Sequence, residues 1–202
     1  MSDPTNPIYR EAPEAYFPAA SALDVARAVR SDDVAGIDRL FAQHSGLDPN
    51  QERRQGVTFL FWTYAHHHVK SVQALVAHGA DPNPPLRLPN EQGGVDVTHL
   101  VNIATEGPKD ELLVALLDLG ANPNAVDERK VPALLNAVNI NNYVRMKILL
   151  DHGADIDAVG SGQWAVGVIR RCRPWPASMP SSKCIISLHG GQIGANPTAM
   201  LR

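Results

Sequence analysis

Gly79-Ala80-Asp81-Pro82-Asn83 is the stretch that decides the fold, because closely similar stretches recur along the chain. The other copies are Leu47-Asp48-Pro49-Asn50, Gly120-Ala121-Asn122-Pro123-Asn124 and Gly153-Ala154-Asp155-Ile156-Asp157. Successive copies end 33, 41 and 33 residues apart. Glycine ends a helix cheaply in the left-handed conformation, and Asp or Asn favours the turn that follows. A fixed period of this length predicts a repeat protein with a turn and two helices in each unit.

Each repeat carries two short apolar stretches with helical spacing. In the second repeat, Thr58 is expected to cap the first helix and Leu60 to lie in the core. Ser21 is the expected N-cap of the first helix of the chain, and a second helix is expected from about Asp33. Leu60, Leu100 and Leu134 share one position, and burying each contributes about 1.5–3 kcal/mol. Because such short helices are marginal alone, they must stack on their neighbours.

The first helix of each repeat carries a family pattern. Thr58-Phe59-Leu60-Phe61-Trp62-Thr63-Tyr64 stands where ankyrin repeats carry Thr-Pro-Leu-His-x-Ala-Ala, and similar stretches begin at Thr98 and Pro132. Residues 21–157 therefore resemble ankyrin repeat proteins, although Phe59 and His99 replace the preferred proline. The resemblance implies an all-α ankyrin repeat solenoid of four helix-hairpin repeats with a degenerate fifth and an irregular C-terminal tail.

The expected organisation follows from the repeats and the prolines. The predicted segments are an irregular lead-in at 1–20, an ankyrin repeat domain at 21–171 (repeats at about 21–52, 56–83, 96–124 and 130–157, with a partial fifth at 160–171) and an irregular basic tail at 172–202. The extra residues between the second and third repeats, within 84–94, are expected to project as a loop from the edge of the turn tips. A change of reading frame near residue 160 is the alternative explanation of the tail.

Charge and composition narrow the function classes. The formal net charge is -3, made up of +5 over residues 161–202 and -8 over the rest, so a general nucleic-acid or membrane-surface binder is disfavoured. The two cysteines, Cys172 and Cys184, are too few for a disulfide framework. The sequence shows no export signal, so the expected location is cytoplasmic, or periplasmic if such a signal is missing from this sequence.

His66-His67-His68 is the one cluster that suggests a metal site. Consecutive residues of a helix point in different directions, so the three rings cannot converge on one ion, and surface residues that close a helix are the favoured interpretation. We find no phosphate-binding, nucleotide-binding or nucleophile motif. The sequence therefore predicts no cofactor, no metal and no enzyme activity.

The ankyrin resemblance implies that a partner docks on the concave face formed by the first helices and the turn tips. Trp62 follows the core leucine by two residues, a position that tends to face the groove, although packing against the third repeat is an equal alternative. The charged residues of the turn tips and of the insertion can equally belong to loops that face solvent and bind no partner. The candidate partner-binding residues are Trp62, His66, Arg87, Glu91, Asn102, Arg129, Lys130 and Asn136.

A narrower resemblance covers residues 14–157. Glu14-Ala15-Tyr16-Phe17-Pro18 and Phe61-Trp62 resemble small bacterial ankyrin proteins encoded beside type VI secretion toxins. This resemblance implies an immunity protein that binds and neutralises a secreted toxin, with a type VI phospholipase effector as the candidate. The alternative is a cytoplasmic scaffold or regulatory adaptor. In either case the expected partner is another protein, with no nucleic acid and no membrane, and the free chain is expected to be a monomer.

Overall fold

The computed structural model describes residues 12–51, 54–90 and 93–155. Within these ranges eight α-helices follow one another in four pairs, and two short strands lie between the second and third pairs. The elements are α1 (Ala20–Arg30), α2 (Val34–Gln43), α3 (Phe59–Ala65), α4 (Val69–Ala77), β1 (Leu86–Pro89), β2 (Val95–Thr98), α5 (Leu100–Glu106), α6 (Asp110–Asp118), α7 (Ala133–Asn139) and α8 (Tyr143–Asp151). The predicted partial fifth repeat at 160–171 and the tail at 172–202 lie outside the described residues.

The four helix pairs pack in sequence order. Within each pair the two helices contact each other, and α2, α4, α6 and α8 contact one another in succession. The first helices also pack across pairs, α1 on α3 and α5 on α7. One apolar cluster runs through all four pairs. Leu60, Leu100 and Leu134 are 3%, 2% and 1% exposed, so the prediction that they share a core position is confirmed.

The helix starts agree with the sequence in two places and differ in a third. The Thr58 hydroxyl accepts a hydrogen bond from the Phe61 N–H, so the predicted cap is confirmed. The second helix begins at Val34, which confirms its expected start, and the Asp33 carboxylate caps it by accepting from the Gly36 N–H. The predicted cap at Ser21 is wrong. The helix begins at Ala20, with Ala19 as its N-cap and no side-chain bond, because the first helical hydrogen bond runs from the Leu23 N–H to the Ala19 carbonyl.

The repeated turns are joined to one another by asparagine side chains. Asn83 Nδ2 donates to the Gly120 carbonyl at 3.1 Å, and Asn83 Oδ1 accepts from the Asn122 N–H at 2.7 Å. We call this arrangement an asparagine bridge. Asn50 bridges in the same way to Gly79 and Asp81, and Asn124 bridges to Gly153 and Asp155. The glycines that precede these turns have φ values of +87° to +93°, as predicted for helix ends in the left-handed conformation.

The inserted segment corrects the all-α expectation. β1 and β2 pair as an antiparallel β-hairpin in which Arg87 lies opposite Val97 and Pro89 lies opposite Val95. Leu86 is buried and Leu88 packs against the core, which fixes the inward face of the segment. On β1 the apolar Leu86 and Leu88 alternate with exposed residues, the period that a strand needs when one face is buried, whereas the valines of β2 lie on the opposite face.

Candidate partner-binding surface

Trp62 lies in an aromatic cluster instead of facing a groove. Its side chain is 0% exposed, its Nε1 donates to the Ala26 carbonyl at 3.0 Å, and its ring lies 5.7 Å from Tyr16 and 5.5 Å from Phe17. The expectation that Trp62 faces the groove is therefore wrong, and the ring contacts and hydrogen bond given above join it to the region of the first helix pair. The tryptophan points back to the first helix pair, because Tyr16 and Phe17 from the segment before α1 complete its pocket.

The candidates Asn102 and Asn136 lie two residues after the core leucines Leu100 and Leu134, as Trp62 does after Leu60. Asn102 is 2% exposed, and its Nδ2 donates to the Val131 carbonyl at 3.2 Å. Its side chain thus holds the turn before α7 and is buried, so it does not lie on the exposed surface that a candidate contact residue needs. Asn136 is half-buried and remains a predicted contact residue.

The three consecutive histidines form the tight turn between α3 and α4. All three are half-buried, which corrects their interpretation as surface residues. The His66 ring lies edge-on to Trp62 at 4.4 Å, and His67 has a φ of +62°. Burial, helped by the charge of Arg30, lowers the pKa of His66 to about 4, and burial also lowers the pKa of His67. The three rings lie in the turn that closes this helix pair. Among the described residues, no group of three potential ligands is arranged to hold a metal ion.

The charged candidates Arg129 and Lys130 lie in a turn whose backbone is held by hydrogen bonds. Arg129 and Lys130 are exposed in the turn before α7, where Asp127 Oδ1 accepts the N–H groups of Arg129 and Val131, both at 2.9 Å. This network holds Lys130 at a φ of +61°. Arg87 is exposed on β1. Glu91 lies outside the described residues.

The inserted β-hairpin brings together a surface that the sequence did not predict. Its outer face consists of Arg87, Pro89, Val95 and Val97, which are paired across the two strands. Val95 is 57% exposed, the highest value among the large hydrophobic residues that the structure describes as exposed. The sequence signal for the two strands was the alternation of apolar and other residues in Leu86–Pro89 and in Val95–Thr98. In stretches of only four residues this signal is weak.

One small recess lies where the first turns meet the start of β1. Its volume is about 50 Å³, far below the roughly 300–1,000 Å³ of a typical small-molecule site. Prolines and leucines make up most of its lining, which includes Pro49, Leu60, Pro82, Pro85, Leu86 and Leu100. Such a recess can take one side chain of a partner but not a substrate of metabolite size.

A buried cation that sequence reasoning missed ties the last helix pair to the third. Arg145 is 6% exposed, its Nε donates to Asp110 Oδ1 at 2.7 Å, and its Nη1 donates to the Thr105 carbonyl at 2.6 Å. A buried guanidinium needs such partners, since an unpaired charge in the interior is costly. Arg145 is thus a joint between helix pairs and does not belong to the exposed surface.

Comparison with known proteins agrees with this architecture over part of the chain. No protein-family profile matches the chain. Over 94 residues the chain is 39% identical to the Ankyrin repeat and SOCS box protein 6 of Homo sapiens, which covers 43% of this chain and 21% of that protein. The match to the protein of the same name from Pongo abelii has the same identity and coverage. This region is similar to ankyrin repeat proteins.

The extent of the match limits what passes from these relatives to this chain. The chain spans about a fifth of the length of the curated relatives it matches. The similarity therefore supports an ankyrin-repeat character for the matched region, in agreement with the resemblance found in the sequence. None of the helices in the described ranges has the length and apolar character that crossing a bilayer requires.

Proposed function

We propose that this chain is an ankyrin-type solenoid that acts by binding another protein and catalyses no reaction. The observation that carries the proposal is the asparagine bridge, repeated at three successive turns. Identical joints between successive units give an open stack, and an open stack offers a long surface for a partner. The similarity of 94 residues to an ankyrin repeat protein supports the same conclusion.

The proposed contact surface is the row of tips. The tips carry the exposed cations Arg87, Arg129 and Lys130, and Asn136 lies half-buried on α7 behind them. The recess of about 50 Å³ offers a place for one apolar anchor of the partner. A standard interface buries roughly 800 Å² on each partner, which a stack of four helix pairs can supply. The proposal includes no cofactor and no metal, and the free chain is proposed to be a monomer.

A narrower form of the proposal concerns the partner. The resemblance to bacterial ankyrin proteins beside type VI secretion toxins suggests an immunity protein whose partner is a secreted toxin, with a phospholipase effector as the candidate. The segments that carry this resemblance, Glu14–Pro18 and Phe61-Trp62, meet in the aromatic cluster. They therefore support a shared architecture and do not identify the partner. A toxin gene beside the gene of this chain favours immunity, and its absence favours a cytoplasmic scaffold or adaptor.

Stoichiometric capture tests the binding function. The tagged full chain is used as bait, and the captured protein is identified by mass spectrometry. The molecular mass of the purified complex is then measured by analytical ultracentrifugation. We expect one defined partner, and we expect Arg129→Glu with Lys130→Glu to weaken its binding. Lys70→Glu on the exposed side of α4 is the matched control. A chain that forms no stoichiometric complex with any protein contradicts the proposal.

A further inference from the structure

We propose that the outer face of the inserted β-hairpin docks an acidic, extended segment of a partner protein that also carries an apolar side chain. This inference rests on the proposed function and names the chemistry of the partner. The outer face is the surface defined above by Arg87, Pro89, Val95 and Val97. Three observations carry the proposal: both edges of the β-hairpin are occupied, its outer face is open, and exposed cations lie on that face and in the neighbouring turns.

Both edges of the β-hairpin are occupied by the neighbouring tips. Beyond β2, the Glu128 N–H donates to the Val97 carbonyl at 2.9 Å, and the Val97 N–H donates to Glu128 Oε2 at 3.3 Å. Beyond β1, the short 3-10 turn Arg54–Gly56 packs so closely that a Cβ on Gly56 would lie 2.0 Å from the Arg87 carbonyl oxygen. Pro89 has no N–H to offer a further strand. Strand addition is therefore blocked, and a partner must bind through side chains.

The two faces of the β-hairpin have different environments. On the inner face Leu86 is 5% exposed and Leu88 packs against the core. On the outer face Pro89 and Val95 are exposed beside each other, and Val97 is half-buried. An exposed valine on a strand does not help to bury the core, so this face adds little to stability. Its apolar residues instead give a partner a flat surface to cover.

Charge selects the kind of partner. Arg54, Arg87 and Lys130 are exposed, and no carboxylate within the described ranges forms an ion pair with them. Each of the nearby acids accepts at least one hydrogen bond from within the chain. Asp127 and Glu128 accept backbone N–H groups, and Asp96 Oδ1 accepts Asn90 Nδ2 at 2.7 Å. Within the described ranges, the side-chain donors of these cations are therefore not taken up by a carboxylate, which favours a partner with carboxylates of its own.

The surroundings favour a protein over a nucleic acid. Binding of single strands depends on aromatic side chains that stack with bases, and the exposed large hydrophobic residues of the described ranges are Val95, Ile140 and Val144. The whole chain also carries a net charge of -3, which opposes a polyanion. A short acidic segment needs only the local cations and the apolar strip, and the β-hairpin supplies both.

A peptide titration followed by NMR tests the inference on the full chain. The probe is a short glutamate-rich peptide with two leucines, and it is compared with a second peptide in which lysines replace the glutamates. We expect the glutamate peptide to shift the amide signals of 86–89, 95–98 and 129–130, with binding that weakens as salt rises. Arg87→Glu and Val95→Asp should each weaken it about fivefold. Lys70→Glu and Val144→Asp are matched controls on the helical part and should bind as the wild type does.

Each other outcome overturns the inference. These outcomes are no binding of the glutamate peptide, equal binding of the lysine peptide, tighter binding of a single-stranded oligonucleotide, or equal binding by the hairpin variants. A failure here leaves the protein-binding function intact, because the capture experiment does not depend on the β-hairpin. If the peptide binds but no partner is captured, the docking surface on the β-hairpin is supported and the proposed stoichiometric complex is contradicted.

Discussion

The asparagine bridges and the inserted β-hairpin lie on the same edge of the molecule, yet they are built in opposite ways. One asparagine bridge joins each pair of successive described turns. In each bridge, one asparagine side chain donates to a helix-ending glycine and accepts from the next turn. The β-hairpin occurs once, interrupts the period and leaves Val95 and Arg87 exposed. The bridges use their polar groups within the chain, whereas the β-hairpin presents groups that the chain does not use.

The difference predicts that one region stabilises the fold and that the other is the place for the proposed recognition. A feature that must recur with the period serves stacking, because every unit has to be joined to the next in the same way. A feature that breaks the period is free of that requirement. Variants of the helix pairs and their turns should therefore lower stability, and variants of the outer hairpin face should leave it unchanged.

Leu134→Asp should have the largest effect. Leu134 is 1% exposed in α7, so the change loses the burial of a leucine and places a carboxylate in the core, at a cost of about 4 kcal/mol. Because the main contacts of each helix pair are with its neighbours, α5 to α8 should lose amide protection before α1 and α2. Hydrogen exchange measures this order. Val144→Asp on the exposed side of α8 is the control, and equal loss of protection in all four pairs would contradict nearest-neighbour stacking.

Asp110→Ala should have the next largest effect. The change leaves the buried Arg145 guanidinium with its hydrogen bond to the Thr105 carbonyl but without a carboxylate partner, at a cost of about 2 kcal/mol. The double variant Asp110→Ala with Arg145→Met removes the charge together with its partner and should recover most of the loss. Urea unfolding of both variants measures the two values. A double variant as unstable as the single one would show that the ion pair is not the cause.

Asn83→Ala tests the bridges directly. It removes the hydrogen bonds to Gly120 and Asn122, which are exposed and should together cost about 1.5 kcal/mol. Asn50→Ala and Asn124→Ala should cost similar amounts, since their bridges have the same atoms and similar lengths. Asn139→Ala at the exposed end of α7 is the matched control. A bridge variant that unfolds in urea at the wild-type midpoint would mean that the bridges accompany stacking without stabilising it.

The sequence predicts the repeated part of the fold well because the same pattern of core leucines and turns occurs several times along the chain. Leu60, Leu100 and Leu134 share a position, and the turns recur, so a weak local signal is confirmed by its copies. The same reasoning fails at Trp62. Its neighbours Tyr16 and Phe17 come from a segment without the period, and an aromatic cluster depends on three-dimensional contacts that spacing does not reveal.

The candidate site is predicted less well, for a physical reason. The β-hairpin depends on two stretches of four residues, too short for their alternation to stand out from chance. Arg145 was unpredictable because its partner Asp110 lies 35 residues away, in another helix pair. Of the eight proposed contact residues, Arg87, Arg129 and Lys130 lie exposed at the tips, where they remain predictions.

The histidine turn gives a smaller, pH-dependent effect. Because burial lowers the pKa of His66 from 6.5 to about 4, the unfolded chain binds a proton there that the folded chain excludes. Stability is therefore fully present above pH 6.5 and falls as the pH drops towards 4, by about 1 kcal/mol after allowance for the partial exposure of the ring. His67 shifts in the same direction, so the His66→Gln variant isolates the share of His66. Urea unfolding across this pH range should show a shallower decline for the variant, and parallel curves would contradict it.

Val95→Thr should have the smallest effect on stability, and it tests most directly whether the outer face of the β-hairpin contributes to the fold. Val95 is 57% exposed, so an isosteric polar residue should change the free energy of unfolding by less than about 0.5 kcal/mol. Leu86→Thr, on the opposite face of the same β-hairpin, removes a buried side chain and should cost about 2 kcal/mol. Urea unfolding of the two variants thus separates a face that stabilises from a face that is left open. Equal costs would mean that the outer face belongs to the core, and recognition would then have to be sought elsewhere on the tips.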